Sequence, residues 1–263
     1  MAYRGLYKDR QDWLDRALNS FATESFRDQA DGDYIMARAA CRSELFPQFL
    51  WLAHQAFEKY LKAILLFNRI PANRVMHDLA VALVLTERLP FRIELSKTSR
   101  SFIETVDASG QVRYLDVPYA IFGYVLVKLD LAVWELRRYC QVLDVHGKGL
   151  PAEEEALLVQ AKRDLAKSTE MPKHKFRLQG GLLEKILDQP SHASRQALLW
   201  QNAVYGVRRR KTVRVKHHLK AQNPLLYVAP DILDELLKFV RLSNVEAYRR
   251  HHEAMMARGE GSD

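Results

Sequence analysis

Gln55-Ala-Phe-Glu-Lys-Tyr-Leu-Lys-Ala63 is the stretch that decides the fold class of this chain. At 3.6 residues per turn it lays Gln55, Glu58, Lys59 and Lys62 along one side. Phe57, Tyr60, Leu61, Ile64 and Leu65 supply the opposite, packing side. Such a helix holds a bundle together and still offers a basic edge to a phosphate. Working outward, helical periodicity extends from Gln48 to Phe67, and Pro71-Ala-Asn73 stops it.

The flanks read as further helices. Trp13, Leu14, Ala17, Leu18 and Phe21 recur at helical spacing in a first helix over residues 10–30. Asp31-Gly32-Asp33 reads as a break and an N-cap, followed by a helix from Tyr34 to Ser43. A third helix of this unit runs from His77 to Leu85, with His77 or Asp78 as its cap. Ser99 to Val106 predicts a short helix, and Tyr119 to Val142 a long one, apolar on most faces and central to the core.

Gly147-Lys148-Gly149 is the best linker. It divides the chain into a bundle with its N-terminal helix, 1–146, and a helical extension, 150–263. Glu153-Glu-Glu155 suits the positive end of a helix reaching Lys167. Short helices follow at 182–187 and from a Ser191 cap to Tyr205, and a last one from Asp231 to about Met256. Between them Val207, Val213 and Val215 alternate with basic residues, as on a solvated strand, and Leu225 to Val228 is a hairpin partner.

Composition restricts the function classes. The chain has 263 residues, 48% hydrophobic and 27% charged, enough for a substantial core. The charged N-terminus lacks a signal-peptide core, and no apolar run approaches a membrane span, so a reducing cytoplasm is expected. Cys41 and Cys140 stand in apolar helical contexts and are expected to be buried free thiols. Gly-rich phosphate loops and nucleophile elbows are missing, and His251-His252-Glu253 is not spaced as a zinc protease. Neither a metal nor another cofactor is expected.

The net charge of +8 is unevenly placed. Residues 189–230 hold eight basic residues and no Asp or Glu, whereas the rest of the chain balances 32 basic against 32 acidic residues. Seven of the eight are Arg208, Arg209, Arg210, Lys211, Arg214, Lys216 and Lys220. A solvated face normally mixes signs. This one predicts electrostatic binding to an RNA or DNA backbone, with an acidic protein as the other kind of partner. Tyr205 and Tyr227 offer stacking.

Several short motifs fall in a known order. They are Asp33-Tyr34 with Arg38, Gln55-Ala56 with Glu58-Lys59 and Leu61-Lys62-Ala63, then His77-Asp78-Leu79, then Arg113-Tyr114. Over about residues 30–145 the chain thereby resembles the HEPN family, helical domains of prokaryotic defence, toxin–antitoxin and nucleotide-handling systems. The resemblance implies an all-α, up-and-down bundle that often forms homodimers. Many members are metal-independent ribonucleases that use an Arg, four to six intervening residues and a His. The His moves a proton at the ribose 2′-hydroxyl and the Arg stabilises the phosphorane. Other members bind nucleotides, often beside a minimal nucleotidyltransferase.

This sequence departs from the nuclease pattern. The positions permitted for the His after Arg113 hold Pro118, Tyr119 and Ala120. Arg138 and His146 have seven residues between them. Arg210 and His217 have six, but they lie in the basic ribbon, outside the resembling segment. The expected function is therefore a nucleotide- or nucleic-acid-binding accessory protein without nuclease activity. The alternatives are a ribonuclease using Arg210 and His217, and an interaction module for a nucleotidyltransferase. The nucleotide-binding candidates are Arg38, Gln55, Lys59, Lys62, His77, Arg113 and Tyr114. Arg113 either clamps a phosphate beside the Tyr114 ring or pairs with Glu58 across the bundle.

Overall fold

The computed structural model describes residues 10–109, 119–144, 152–206, 219–222, 229–242 and 245–259. The fold is helical, as expected. Helix α1 (Arg10–Phe21) passes through a π-helical turn, Ala22–Arg27, into α2 (Asp28–Arg42). Helix α3 spans Phe46–Phe67 with Pro47 in its first turn, where the missing N–H costs nothing. It ends one turn before Pro71.

Helix α3 is the axis of the molecule, packed against α2, the π-turn, α4 (Leu79–Leu85), α5 (Lys97–Ala108) and α6 (Val125–Arg137). Phe57, Leu61 and Ile64 are fully buried. Each contributes about 1.5–3 kcal/mol by leaving water. Phe57 meets Phe102 of α5 edge-on at 6.1 Å, which fixes the α3–α5 contact. Asp78 caps α4, accepting from the Val81 amide at 2.8 Å, and Ser96 caps α5.

The expected break at Asp31-Gly32-Asp33 does not occur, because α2 runs through it. Asp31 is fully buried and accepts from Arg137 Nε at 2.7 Å and from Tyr60 at 2.6 Å. Tertiary partners thus take the carboxylate that a cap would have used. Gly32 faces open space, so its small size relieves no contact.

The long helix expected from Tyr119 is also corrected. Residues Tyr119–Phe122 form strand β1, Gly123 turns the chain at φ +61°, and only then does α6 begin. Strand β1 pairs antiparallel with β2 (Leu219–Gln222), placing Ile121 opposite Lys220. The expected hairpin within 207–228 is not supported. Residues 207–218 and 223–228 lie outside those described, and the described strand pairs with β1 of the bundle.

In the extension, α7 (Ala152–Lys167) starts with the three glutamates, as read. Helix α8 spans Leu182–Asp188. The helix expected from Ser191 to Tyr205 shrinks to α9 (Arg195–Leu199), and the chain then turns at Gln201 with φ +48°. The last expected helix is divided into Leu233–Leu236 and Val245–Gly259. The linker 147–149 lies outside the described residues.

Bundle and extension share one core. Leu183, Ile186 and Leu198 join the cluster that contains Phe57, Leu61 and Leu136. Two buried polar knots reinforce the seam. Arg137 forks between Asp31 and Glu184, with Glu184 contacts at 2.6–2.7 Å. Asp130 accepts from Tyr34 at 2.7 Å, from the Ala203 amide at 2.7 Å and from Arg38. Among the described residues no helix is long and apolar enough to cross a membrane.

Candidate functional site

The polar line of α3 runs through His54, Glu58 and Lys62, which an i, i+4, i+8 spacing stacks on one face. The loop after α3 brings His77 onto this line. Glu58 is 4% exposed and sits at the centre. One of its oxygens accepts from Lys62 Nζ at 2.5 Å, and the other lies 3.1 Å from His77 Nδ1. Lys62 also donates to the Met76 carbonyl at 3.1 Å, so the loop and the lysine position each other.

His54 lies beneath, with Nε2 at 3.5 Å from Asp107 and Nδ1 at 3.9 Å from Glu58. Asp107 also accepts from the Leu79 and Ala80 amides, at 3.0 and 3.3 Å, where α4 begins. Burial pushes the His54 imidazole below its usual range, more strongly than Glu58 and Asp107 pull it up. For Glu58, burial works upward, but hydrogen bonds from Lys62 and His77 prevail and hold it below the usual carboxylate range. The result is a charged carboxylate carrying a lysine and an exposed imidazole at the protein surface.

Of the expected nucleotide-binding residues, Lys62 and His77 are brought together. Lys59, one turn away, is tied to Asp33 of α2. Gln55 is half-buried and has no side-chain partner among the described residues. Arg38 is elsewhere. It is 1% exposed, bonded to Asp130 and to the Ala197 and Trp200 carbonyls. A guanidinium so engaged is an architectural group with no face open to a ligand, a correction to its expected role. Arg113 and Tyr114 lie outside the described residues, as do Arg208, Arg209, Arg210, Lys211, Arg214, Lys216 and His217. Lys220 lies in β2, and only its backbone is described. The expected Arg113–Glu58 pair therefore has only its Glu58 side in view, where Lys62 and His77 occupy the carboxylate.

Sequence reasoning missed His54 and Asp107, and it read Asp33 as a motif residue without its ion pair to Lys59. His54 was legible as the i−4 neighbour of Glu58. Asp107 comes from α5 and leaves no local signal, and the pairing of Asp33 with Lys59 is likewise not written in either helix alone.

The strand pairing adds a second element. β1 starts five residues after Tyr114, and β2 ends the dense basic run. Their ladder, from Tyr119 opposite Gln222 to Phe122 opposite Leu219, fixes the end of that run beside the N-terminus of α6.

No curated protein and no solved structure matches this chain. Residues 23–132 match the family model described as HEPN domain, from the π-turn to the middle of α6.

Proposed function

We propose that this protein binds a nucleic-acid backbone through its 207–220 segment, with the HEPN bundle as the platform, and that it does not cleave what it binds. The carrying observation is the eight basic residues without an acid in 189–230, combined with the β1–β2 ladder that ties the end of this run to the bundle. Unbalanced Arg and Lys release condensed counterions when they meet phosphates, and this term dominates sequence-independent binding. The HEPN match supports a nucleic-acid-related role at this coarse level.

Lys62 and His77 form a secondary contact in this reading. Each already has a partner on Glu58, so they contribute spare donors rather than unpaired charge. The absence of cleavage is supported by Pro118, Tyr119 and Ala120 standing where the His after Arg113 would be.

The test is binding of a fluorescent single-stranded RNA, followed on a gel for cleavage. Replacing Arg208, Arg209, Arg210 and Lys211 together by Ala is expected to weaken binding at least about tenfold at low salt. RNA is expected to stay intact with wild-type protein. Unchanged affinity in the variant contradicts the binding surface. Cleavage that disappears with His217→Ala contradicts the second half and favours the Arg210–His217 ribonuclease.

A further inference from the structure

A cavity of about 420 Å³ opens where three pieces of chain meet: the loop before α5, the residues after α6, and the C-terminal half of α7. Its size falls in the range of small-molecule sites, about 300–1,000 Å³. Phe91 and Tyr139 stack nearly parallel at one wall, 9° apart in plane with centroids at 5.7 Å. Tyr139 is held from behind, since its hydroxyl accepts from the Glu94 amide at 3.0 Å and the Arg138 guanidinium lies 4.9 Å from its ring. Phe91 is half-buried and Tyr139 buried, so Phe91 is the more accessible ring of the pair.

Two cations, Arg92 and Lys162, stand exposed at the rim, and neither has an ion-pair partner among the described residues. They reach the cavity from different elements, one from the loop and one from α7. Glu94 and Asp144 also line the cavity. The Glu94 carboxylate reaches the buried Arg138 at 3.3 Å and keeps most of its surface exposed.

A flat aromatic wall, two unpaired cations and nearby carboxylates match the parts of one ligand class. The rings take a base, the cations a phosphate, and the carboxylates accept from ribose hydroxyls. We propose that this cavity is a nucleoside 5′-phosphate site, separate from the basic segment and from the Glu58 cluster. Arg138, Tyr139 and Lys162 lie beyond the HEPN match at 132, so the site belongs to the junction of bundle and extension. An occupant bridges the loop to α7 and fixes the helix against the bundle.

Calorimetric titration with adenosine 5′-monophosphate tests the site. One saturable site is expected, with adenosine and ribose 5-phosphate each binding at least about tenfold more weakly. Lys162→Glu and Arg92→Glu, both at exposed positions that leave the fold intact, are expected to reduce affinity at least about tenfold. Phe91→Ala is expected to weaken the monophosphate and leave ribose 5-phosphate unchanged. A 5′-phosphorylated oligonucleotide that competes identifies the end of a strand as the occupant, and one that does not compete identifies a free nucleotide. The quadruple Ala variant of 208–211 keeps full affinity for the monophosphate in this account, so failure here and failure of the backbone-binding surface are separable. No saturable binding, or binding indifferent to Lys162→Glu and Phe91→Ala, overturns the proposal.

Discussion

His54 shows at the scale of one residue how burial and charge oppose each other. Its imidazole lies between Glu58 and Asp107, yet desolvation keeps the neutral form favoured in the folded protein. The unfolded chain then binds the proton more readily. Stability from this residue is complete above the ordinary value of 6.5 and is lost as pH falls from there through the folded value. Glu58 has the same sign in a lower window. Held below its ordinary 4.5, it adds stability above that value and loses it as pH falls through the folded value. Urea titrations at a series of pH values should show two limbs, the upper flattened by His54→Gln and the lower by Glu58→Gln. A His54→Gln profile as steep as wild type between the ordinary histidine value and the acid limb contradicts this assignment. Arg137 is the sharper structural case. Arg137→Met leaves Asp31 and Glu184 buried without their cation and should cost about 3–5 kcal/mol in denaturant unfolding.

Among elements, β1 and its turn explain most of what the sequence concealed. Ile121, Phe122, Val125 and Leu126 read as one apolar helix because β1 and α6 are equally apolar along the chain. The strand exists because Leu219–Gln222, some hundred residues later, supplies its ladder partner, and no local pattern reports that. Gly123 at φ +61° makes the junction possible. A Cβ there meets no atom within 4 Å, so Gly123→Val should act through backbone strain alone, at about 1–2 kcal/mol in thermal or urea unfolding. By contrast α3 was readable almost to the residue, since one helix carries both the packing stripe and the His54–Glu58–Lys62 line. Arg38 was readable as a motif member but not as a buried group. Its partners Asp130, Ala197 and Trp200 come from α6 and the α9 region. Asp31 misled for the same reason, because a capping residue and a buried ion-pair partner look alike until Arg137 is placed.

For the whole molecule the extension is part of the core. A chain ending at residue 144 leaves Arg137 without Glu184, Arg38 without two carbonyls, and Asp130 without the Ala203 amide. Each unsatisfied buried group costs about 1–3 kcal/mol, and apolar contacts from Leu183, Ile186 and Leu198 are lost as well. Against a typical total of about 5–15 kcal/mol, that truncation should abolish cooperative thermal unfolding. A sharp transition in residues 1–144 contradicts the shared core.

The whole excess of +8 is also a feature of the molecule at large, found in one segment, 189–230, that contains β2, and the proposed binding function rests on it. The most direct test is the salt dependence of single-stranded RNA affinity, measured from about 50 to 200 mM salt, for wild type and the 208–211 Ala variant. The account predicts a steep linear fall of log affinity with log salt for wild type, and a slope reduced by about 0.7 for each phosphate contact removed. A salt-insensitive wild type, or an unchanged slope in the variant, contradicts it.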